Sequence, residues 1–404
     1  MIYLVTAQTQ LQLQSDIEII SPEKSLELLA PLTVVGFDTE TSGIDPWTKV
    51  LKSIQLGCYS FQVVIDCTTV NPKLYKEYLE SDRLFVGWNL KFDLKFLFRQ
   101  GIVPKNLYDG FLAEKLMWLG YPAGMHSMSL KSAGMQYLNV ELDKSVRGKI
   151  IWAGLTNDVV IYSANDVKYL EKIMEAQKVE LSKRDLLRAI EYENRFVLPL
   201  AYCEYCGVKL DETKWKAKMQ KDQTRLESAK KKLNEWLLTN IPNSEYIKVD
   251  NQGDLFSGFD LTPRVTINWD SPKQVAPIFR KYGVDITIED KDNGGTKESI
   301  DAKQLKPQKD KCSLIPIYLD YKEAAKVTST YGENFLKQIN PVSHRVHTNY
   351  SQLGADTTRI TSGGHDKENN IDYINLLNLP ADAETRSCFV AEDGNKWISI
   401  DYSG

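Results

Sequence analysis

The chain has 404 residues, 42% of them hydrophobic and 26% charged, with a formal net charge of −4; this exceeds what one core serves and excludes a disordered or fibrous protein. The weak negative charge says nothing about nucleic acid by itself, because local clustering decides phosphate binding. Six cysteines are too few for a disulfide framework, no signal peptide opens the chain, and no apolar run reaches the roughly 18 residues of a membrane span, so a reducing, cytoplasmic compartment is expected.

Strand-like runs begin at Leu32, with LTVVGFDTE followed by VLKSIQLGCYSFQVVID, β-branched and aromatic stretches separated by turn residues. Amphipathic helical patterns follow around KFDLKFLFRQ and DGFLAEKLMWLG, and one long helical pattern runs through LTNDVVIYSANDVKYLEKIMEAQKVEL. Strands first and helices after predict a mixed sheet covered by helices, ending near residue 185. Residues 186–240 read as almost wholly helical. Within them Cys203 and Cys206 form a CxxC pair that has no second pair and no nearby His, which predicts two half-buried helical thiols rather than a zinc or redox site. The lysines of TKWKAKMQKDQTRLESAKKKLNEWLL predict a solvated helix face, with a DNA-facing side as the alternative. Loops are marked by IPNS, DNQGD and KDNGG; SPKQVAPIFRKYG between them reads as a short helix, with Ser as N-cap, Pro at its first position and a closing Gly. Helix returns in LIPIYLDYKEAAKVTSTYGENFLKQI, and from Arg345 the pattern is strand and loop.

Three places offer hard oxygen ligands. Asp38 and Glu40 in VVGFDTETSG are two apart on a strand and project from one face, where their repulsion makes sense if a cation sits between them. Asn89 and Asp93 in VGWNLKFDLKFLF are four apart at a helix start, where both can face one way. Tyr162 and Asp166 in IYSANDVKYL repeat that spacing inside a helix. A phenol with an ordinary pKa of about 10 stays neutral, so Tyr162 suits orienting a water rather than deprotonating it. Each piece alone is common on protein surfaces. Together they are the donor set that two-metal phosphodiester hydrolysis needs, with Mg²⁺ or Mn²⁺ favoured over zinc by the absence of N and S ligands.

FDTET, NLKFD and YSAND resemble the three motifs of the Asp-Glu-Asp-Asp exonuclease superfamily in its tyrosine subclass; the histidine subclass would have His where Ile161 stands. The resemblance implies Asp38, Glu40, Asp93 and Asp166 as ligands of two metal ions and Tyr162 as the water-orienting group. It also implies Ile44 as a wedge at the terminal base and Asn89 as a supporting residue. Further along, KVTSTYGENFLKQINPVSHRVHTNYSQLGADTTRITS, NLLNLP and ETRSCFVAEDGNKWISIDYSG resemble the thumb-to-palm passage of the family A DNA polymerases. That implies phosphate contacts from Lys326, Thr328, Ser329 and Thr330, and a minor-groove contact from Arg359. Asn375 and Asn378 match polar positions of the next motif, while Leu377 stands where a glutamine is expected. Asp401 would be a polymerase metal ligand.

The resemblance thus implies an α/β (α+β) chain: a ribonuclease H-like exonuclease domain with a mixed sheet over residues 1–185, a mainly helical linker and thumb over 186–344, and the start of an antiparallel-sheet palm over 345–404. The expected function is proofreading 3′→5′ exonuclease action on single-stranded 3′ ends and primer–template DNA in replication. Polymerisation would need fingers and a second metal-binding Asp, supplied by a separate chain or missing from this sequence. Compact polymerases of this kind occur in phages, so a bacterial or phage-infected cytoplasm is the expected setting. Two alternatives remain: a ribonuclease D-like RNA 3′-exonuclease, against which residues 340–404 speak, and a non-catalytic DNA-holding subunit, against which the full set of carboxylates speaks.

Overall fold

The computed structural model describes residues 1–9, 14–122, 124–142, 156–248, 263–290, 294–366 and 370–400. The strand-like runs form one seven-stranded mixed sheet in the spatial order β2-β1-β5-β4-β3-β6-β7. Its strands are β1 (Ile2–Val5), β2 (Ile17–Ile19), β3 (Val34–Thr41), β4 (Leu51–Gly57), β5 (Gln62–Asp66), β6 (Leu84–Gly87) and β7 (Asn106–Asp109). The β3–β4 and β4–β5 pairings are antiparallel, and the remaining pairings are parallel. β1 and β2 precede Leu32, where the strand pattern becomes readable, because three or four residues are too short to show alternation.

Helices cover both faces. They are α1 (Pro22–Leu29), α2 (Lys76–Leu79), α3 (Lys91–Arg99), α4 (Gly110–Met117), α5 (Leu130–Leu138), α6 (Asn157–Lys168), α7 (Leu170–Lys183) and α8 (Leu187–Cys206). Their starts follow local chemistry: Ser21, Asp109, Ser129 and Thr156 each cap a helix by accepting a backbone N–H from its first turn. The long helical pattern ending near Leu181 is split at Tyr169, whose ψ of −2° interrupts the helix and separates α6 from α7. One face of the sheet carries the main core, including Phe37, Ile54, Leu56, Phe85, Leu94 and Leu97. On the other face a smaller apolar cluster joins Leu4, Ile17 and Val64 to Val160 and Ala164 of α6.

The chain divides into two compact units, one of Met1–Lys209 with Gln338–Leu379, the other of Leu210–Lys337 with the residues from Pro380. Within the first, residues 338–379 are built onto the helices α3, α4 and α8. Lys91 and Lys95 of α3 both pair with Glu204 of α8, whose side chain is 1% exposed. Lys91 also donates to the Tyr350 carbonyl, and the Tyr350 N–H returns to Glu204 Oε1 at 2.7 Å. Lys115 reaches Ser351 Oγ and the Gln352 carbonyl, both at 2.6 Å. Short antiparallel ladders pair residues 350–351 with 361–362 and residues 364–366 with 371–373.

The second unit is built on α9 (Glu212–Asn240), α10 (Pro272–Lys281) and α12 (Leu314–Thr330), with the short α11 (Ala302–Leu305) between the latter two. Leu233, Trp236, Leu237, Trp269, Phe279 and Ile315 lie in its core. The indole donors are satisfied: Trp236 donates to Ser313 Oγ and Trp269 to Asn234 Oδ1, each at 2.9 Å. On α9, Lys214, Lys216, Lys221, Lys230, Lys231 and Lys232 are exposed, whereas Lys218 is buried against Asp222 and the Trp215 ring. At the end of α8, Cys203 is exposed and Cys206 half-buried, both free thiols. No helix among the described residues is long and apolar enough to cross a membrane.

Gly36 sets how closely α6 can lie on the sheet, since a Cβ there would stand 2.4 Å from the Val167 carbonyl oxygen. Gly36→Val is expected to cost about 1–3 kcal/mol through forced displacement of α6, read as a lower thermal unfolding midpoint. Burial raises the Glu204 carboxyl, but the two lysine ammoniums outweigh it and hold the group below the ordinary range. A depressed folded value means stability that is present above the unfolded pKa of about 4.3 and is lost as pH falls through the folded value. Glu204→Gln should therefore cost about 3 kcal/mol or more at pH 7, and urea titrations should show the gap to wild type closing as pH drops below about 4.

Candidate metal centre

β3 carries Asp38 and Glu40 on the face that α6 covers, because Gly36, two residues earlier, meets the Val167 carbonyl on that face. α6 presents Asp166 to the same place. One oxygen each from Asp38, Glu40 and Asp166 lies within 4.8 Å of the others, and all three residues are half-buried. This donor set is purely carboxylate oxygen, which suits a hard divalent cation. Tyr162, one turn before Asp166, is buried at the same cluster. Burial and then the Asp166, Glu40 and Asp38 charges push its phenol far above the usual range, so it remains protonated.

Asp93 is placed differently. It is not a member of the three-carboxylate group; its Oδ1 accepts from the Thr39 N–H at 3.0 Å and the Thr39 hydroxyl at 2.6 Å. β6 pairs with β3 only over Val34–Gly36, so the edge of β3 beside Thr39 is open to α3. Burial raises the Asp93 carboxyl, with the Thr39 hydroxyl opposing. Asn89 and Asp93 do not share a helix face, a correction to their spacing. Asn89 precedes α3 with φ of +62° and is exposed, whereas Asp93 is buried.

Two positioning groups escaped the sequence. Asp109, buried, accepts from the N–H groups of Asn89 and Leu90, each at 2.9 Å, and from Phe111 at 3.0 Å. It thereby fixes the turn leading into α3 and Asp93. Its signal was an Asp-Gly step before an apolar helix, a cap signature. The second is the loop after Glu40 that carries half-buried Ile44. Asp45 Oδ2 accepts from Asn340 Nδ2 at 2.8 Å. Trp47 donates to the Tyr205 carbonyl at 3.1 Å and stacks on its ring at 4.7 Å, with Arg99 over the indole.

The remaining sequence-derived positions fall in both units. In the second, Lys326, Thr328, Ser329 and Thr330 form the last turn of α12; the Thr328 and Ser329 hydroxyls donate to the carbonyls of Ala324 and Lys326. Thr328 and Ser329 also line a groove of about 520 Å³ with Lys216, Gln220, Asn334 and Lys337. In the first, Arg359 is exposed in a tight turn where its carbonyl accepts from Gly354 and Ala355. Asn375 Oδ1 accepts from the Ser362 hydroxyl at 2.9 Å and from the Asn378 N–H at 3.0 Å. The exposed Leu377 uses its N–H on Ser362 instead of a side-chain amide. Asp401 lies outside the described residues.

The chain is similar to known proteins in both of its parts. The family model for 3′-5′ exonuclease matches residues 18–182, and that for DNA polymerase family A matches residues 259–404. DNA polymerase I of Borreliella burgdorferi is 26% identical over 397 residues, covering 94% of this chain and 39% of the relative. That of Aquifex aeolicus is 25% identical over 405 residues, covering 94% and 60%. The chain thus spans less than two thirds of these relatives. The solved POL domain of Pol1 from M. smegmatis, in complex with DNA primer-template and dNTP, shares the fold, with a TM-score of 0.65 and 18% identity over 93% of this chain and 58% of that one. Exonuclease domains of this kind use divalent metals, as the clustered carboxylates suit. With the two domain models in succession and similarity to DNA polymerase I along nearly its whole length, the chain carries a 3′-5′ exonuclease domain followed by part of a family A DNA polymerase domain.

Proposed function

We propose that this chain removes nucleotides from the 3′ ends of DNA, proofreading for a replicative polymerase, with two Mg²⁺ or Mn²⁺ ions at Asp38, Glu40, Asp93 and Asp166. The observation that carries the reading is the convergence of Asp38, Glu40 and Asp166 oxygens within 4.8 Å. Cations held there supply charge neutralisation at the phosphodiester and an activated water. The protein's own groups do the rest. Tyr162, kept protonated, orients the attacking water through its hydroxyl oxygen. Water oxygen forms the new bond to phosphorus as the P–O3′ bond breaks, releasing a 5′-mononucleotide and leaving a 3′ hydroxyl on the shortened strand. Ile44 is assigned to the terminal base and Asn89 to the support of the site.

DNA is the proposed partner along both units. Lys326, Thr328, Ser329 and Thr330 combine a cation with small hydroxyls, the chemistry of sequence-independent phosphate contacts. Arg359 is an exposed donor suited to the acceptors that every base pair shows in the minor groove, and Asn375 and Asn378 form the adjoining polar step. Asp401 is assigned to a polymerase metal.

Purified 404-residue chain with Mg²⁺ should shorten 5′-labelled single-stranded DNA from its 3′ end. EDTA, or the double change Asp38→Ala with Glu40→Ala, should reduce cleavage to background while the thermal unfolding midpoint is kept. Survival of cleavage in the double variant would sink the metal assignment. Faster degradation of an RNA oligomer than of the matched DNA would move the reading to an RNA exonuclease.

A further inference from the structure

The sheet register puts a second, uncharged polar layer against the carboxylates. Across the antiparallel β3–β4 pair, Asp38 stands opposite Gln55 and Glu40 opposite Ser53. Directly opposed residues project to the same face with Cβ atoms about 4.5–5.5 Å apart, so Gln55 and Ser53 share the face of the two acids. Both are buried, and Gln55 Nε2 donates to Ser53 Oγ at 2.6 Å. The line continues from Gln55 to Val64 and from Val64 to Leu4, two members of the apolar cluster that α6 covers. Gln55 therefore occupies the boundary between apolar packing and the acidic cluster.

Stability alone does not explain a glutamine here. Its Oε1 is buried without a hydrogen-bond partner, and the same holds for the hydroxyl of Ser163. Ser163 is fully buried on α6, next to Tyr162 and three residues before Asp166, hence its neighbour on the helix surface. An unsatisfied buried polar group costs about 1–3 kcal/mol, and an aliphatic residue at 55 would simply extend the Val64–Leu4 patch. Two such groups therefore flank one acidic cluster, one from the sheet side and one from the helix side.

We propose that Gln55, braced by Ser53, and Ser163 are positioning residues of the exonuclease centre, orienting the carboxylates of Asp38 and Asp166 for the cations. The proposal rests on the exonuclease reading above. Turning the Gln55 amide over keeps the bond to Ser53, with Oε1 now accepting from the hydroxyl. The NH₂ group is then free for a carboxylate oxygen of Asp38 across the strand pair. A carboxylate held by one hydrogen bond keeps its other lone pairs directed at a cation, and loss of such a partner costs about 10–100-fold in metal affinity or activity.

The test uses the full chain, with Mn²⁺ as the probe metal, in the wild type, Gln55→Leu and Ser163→Ala. Calorimetric titration gives Mn²⁺ affinity, and Mg²⁺-dependent shortening of 5′-labelled single-stranded DNA gives kcat and KM. Gln55→Leu should weaken Mn²⁺ binding about tenfold or more and lower kcat, leaving KM for the DNA unchanged. Ser163→Ala should move the same two quantities in the same direction, and it carries the test if Gln55→Leu fails to fold. Variants that are more heat-stable than wild type yet keep its Mn²⁺ affinity and kcat would overturn the proposal, marking both groups as plain core polarity. A wild-type chain that neither binds Mn²⁺ nor cleaves DNA would overturn the exonuclease reading and this inference with it.

Discussion

Three carboxylates share one small volume in this fold, and that is costly. At an effective dielectric of about 20, two ionised groups roughly 4 Å apart repel by about 4 kcal/mol, and Asp38, Glu40 and Asp166 make three such pairs within 4.8 Å. No single element can impose that spacing. β3 fixes two acids on one face, two residues apart, and α6 must then be brought down upon them. What permits the approach is a missing side chain: Gly36 leaves room for the Val167 carbonyl, one residue beyond Asp166. The apolar contacts of Val160 and Ala164 with Leu4 and Val64 clamp the helix there. Hydrophobic burial beside the cluster thus offsets repulsion inside it, and a bound divalent cation would convert the remaining repulsion into affinity.

The fourth acid shows a different solution. Asp93 is buried, and it approaches β3 along the strand edge that β6 leaves open. Thr39, between the two acids in sequence but on the other face, provides a backbone N–H and a hydroxyl for it. Asp109 holds the turn that delivers α3 to this edge. Asp109 is thus satisfied by backbone donors, and Asp93 by the backbone N–H and the hydroxyl of one residue, Thr39. Lysines occur close by on α3, but Lys91 and Lys95 are directed to Glu204 and residue 350 instead.

How much could be read from the sequence depends on how local each feature is. The strand around Asp38 and Glu40 was legible because VVGF is strongly strand-forming and the two acids alternate with Thr39. Tyr162 and Asp166 were legible because four residues are one turn of helix. The break at Tyr169 was not, since apolar periodicity continues through it from α6 into α7. Asn89 was misplaced because a four-residue spacing implies one helix face only if both residues are helical, and its φ is positive. The strands β1 and β2 were invisible alone, being too short for a pattern, and exist because β5 offers β1 a parallel edge. Gln55 carries no motif of its own within the strand LKSIQLG; only the cross-strand register places it opposite Asp38.

The least local feature is the attachment of residues 338–379 to the exonuclease-like part. Sequence similarity assigns them to the polymerase side of the chain, yet they complete the first unit through Val346, Tyr350 and Gln352. The loop that leaves β3 immediately after Glu40 depends on that attachment. Asn340 holds Asp45 from one direction, and Tyr205, at the end of α8, holds Trp47 from another. Asp45 also closes the loop on itself through the Trp47 N–H and the Thr48 hydroxyl. The loop is thereby set by residues about 160 and 300 positions away in the chain (Tyr205 and Asn340). Its conformation cannot be stored in β3 alone. A segment homologous to one catalytic domain thus supplies part of the frame for the other, so displacement of residues 338–347 would be felt first at the loop beside Glu40.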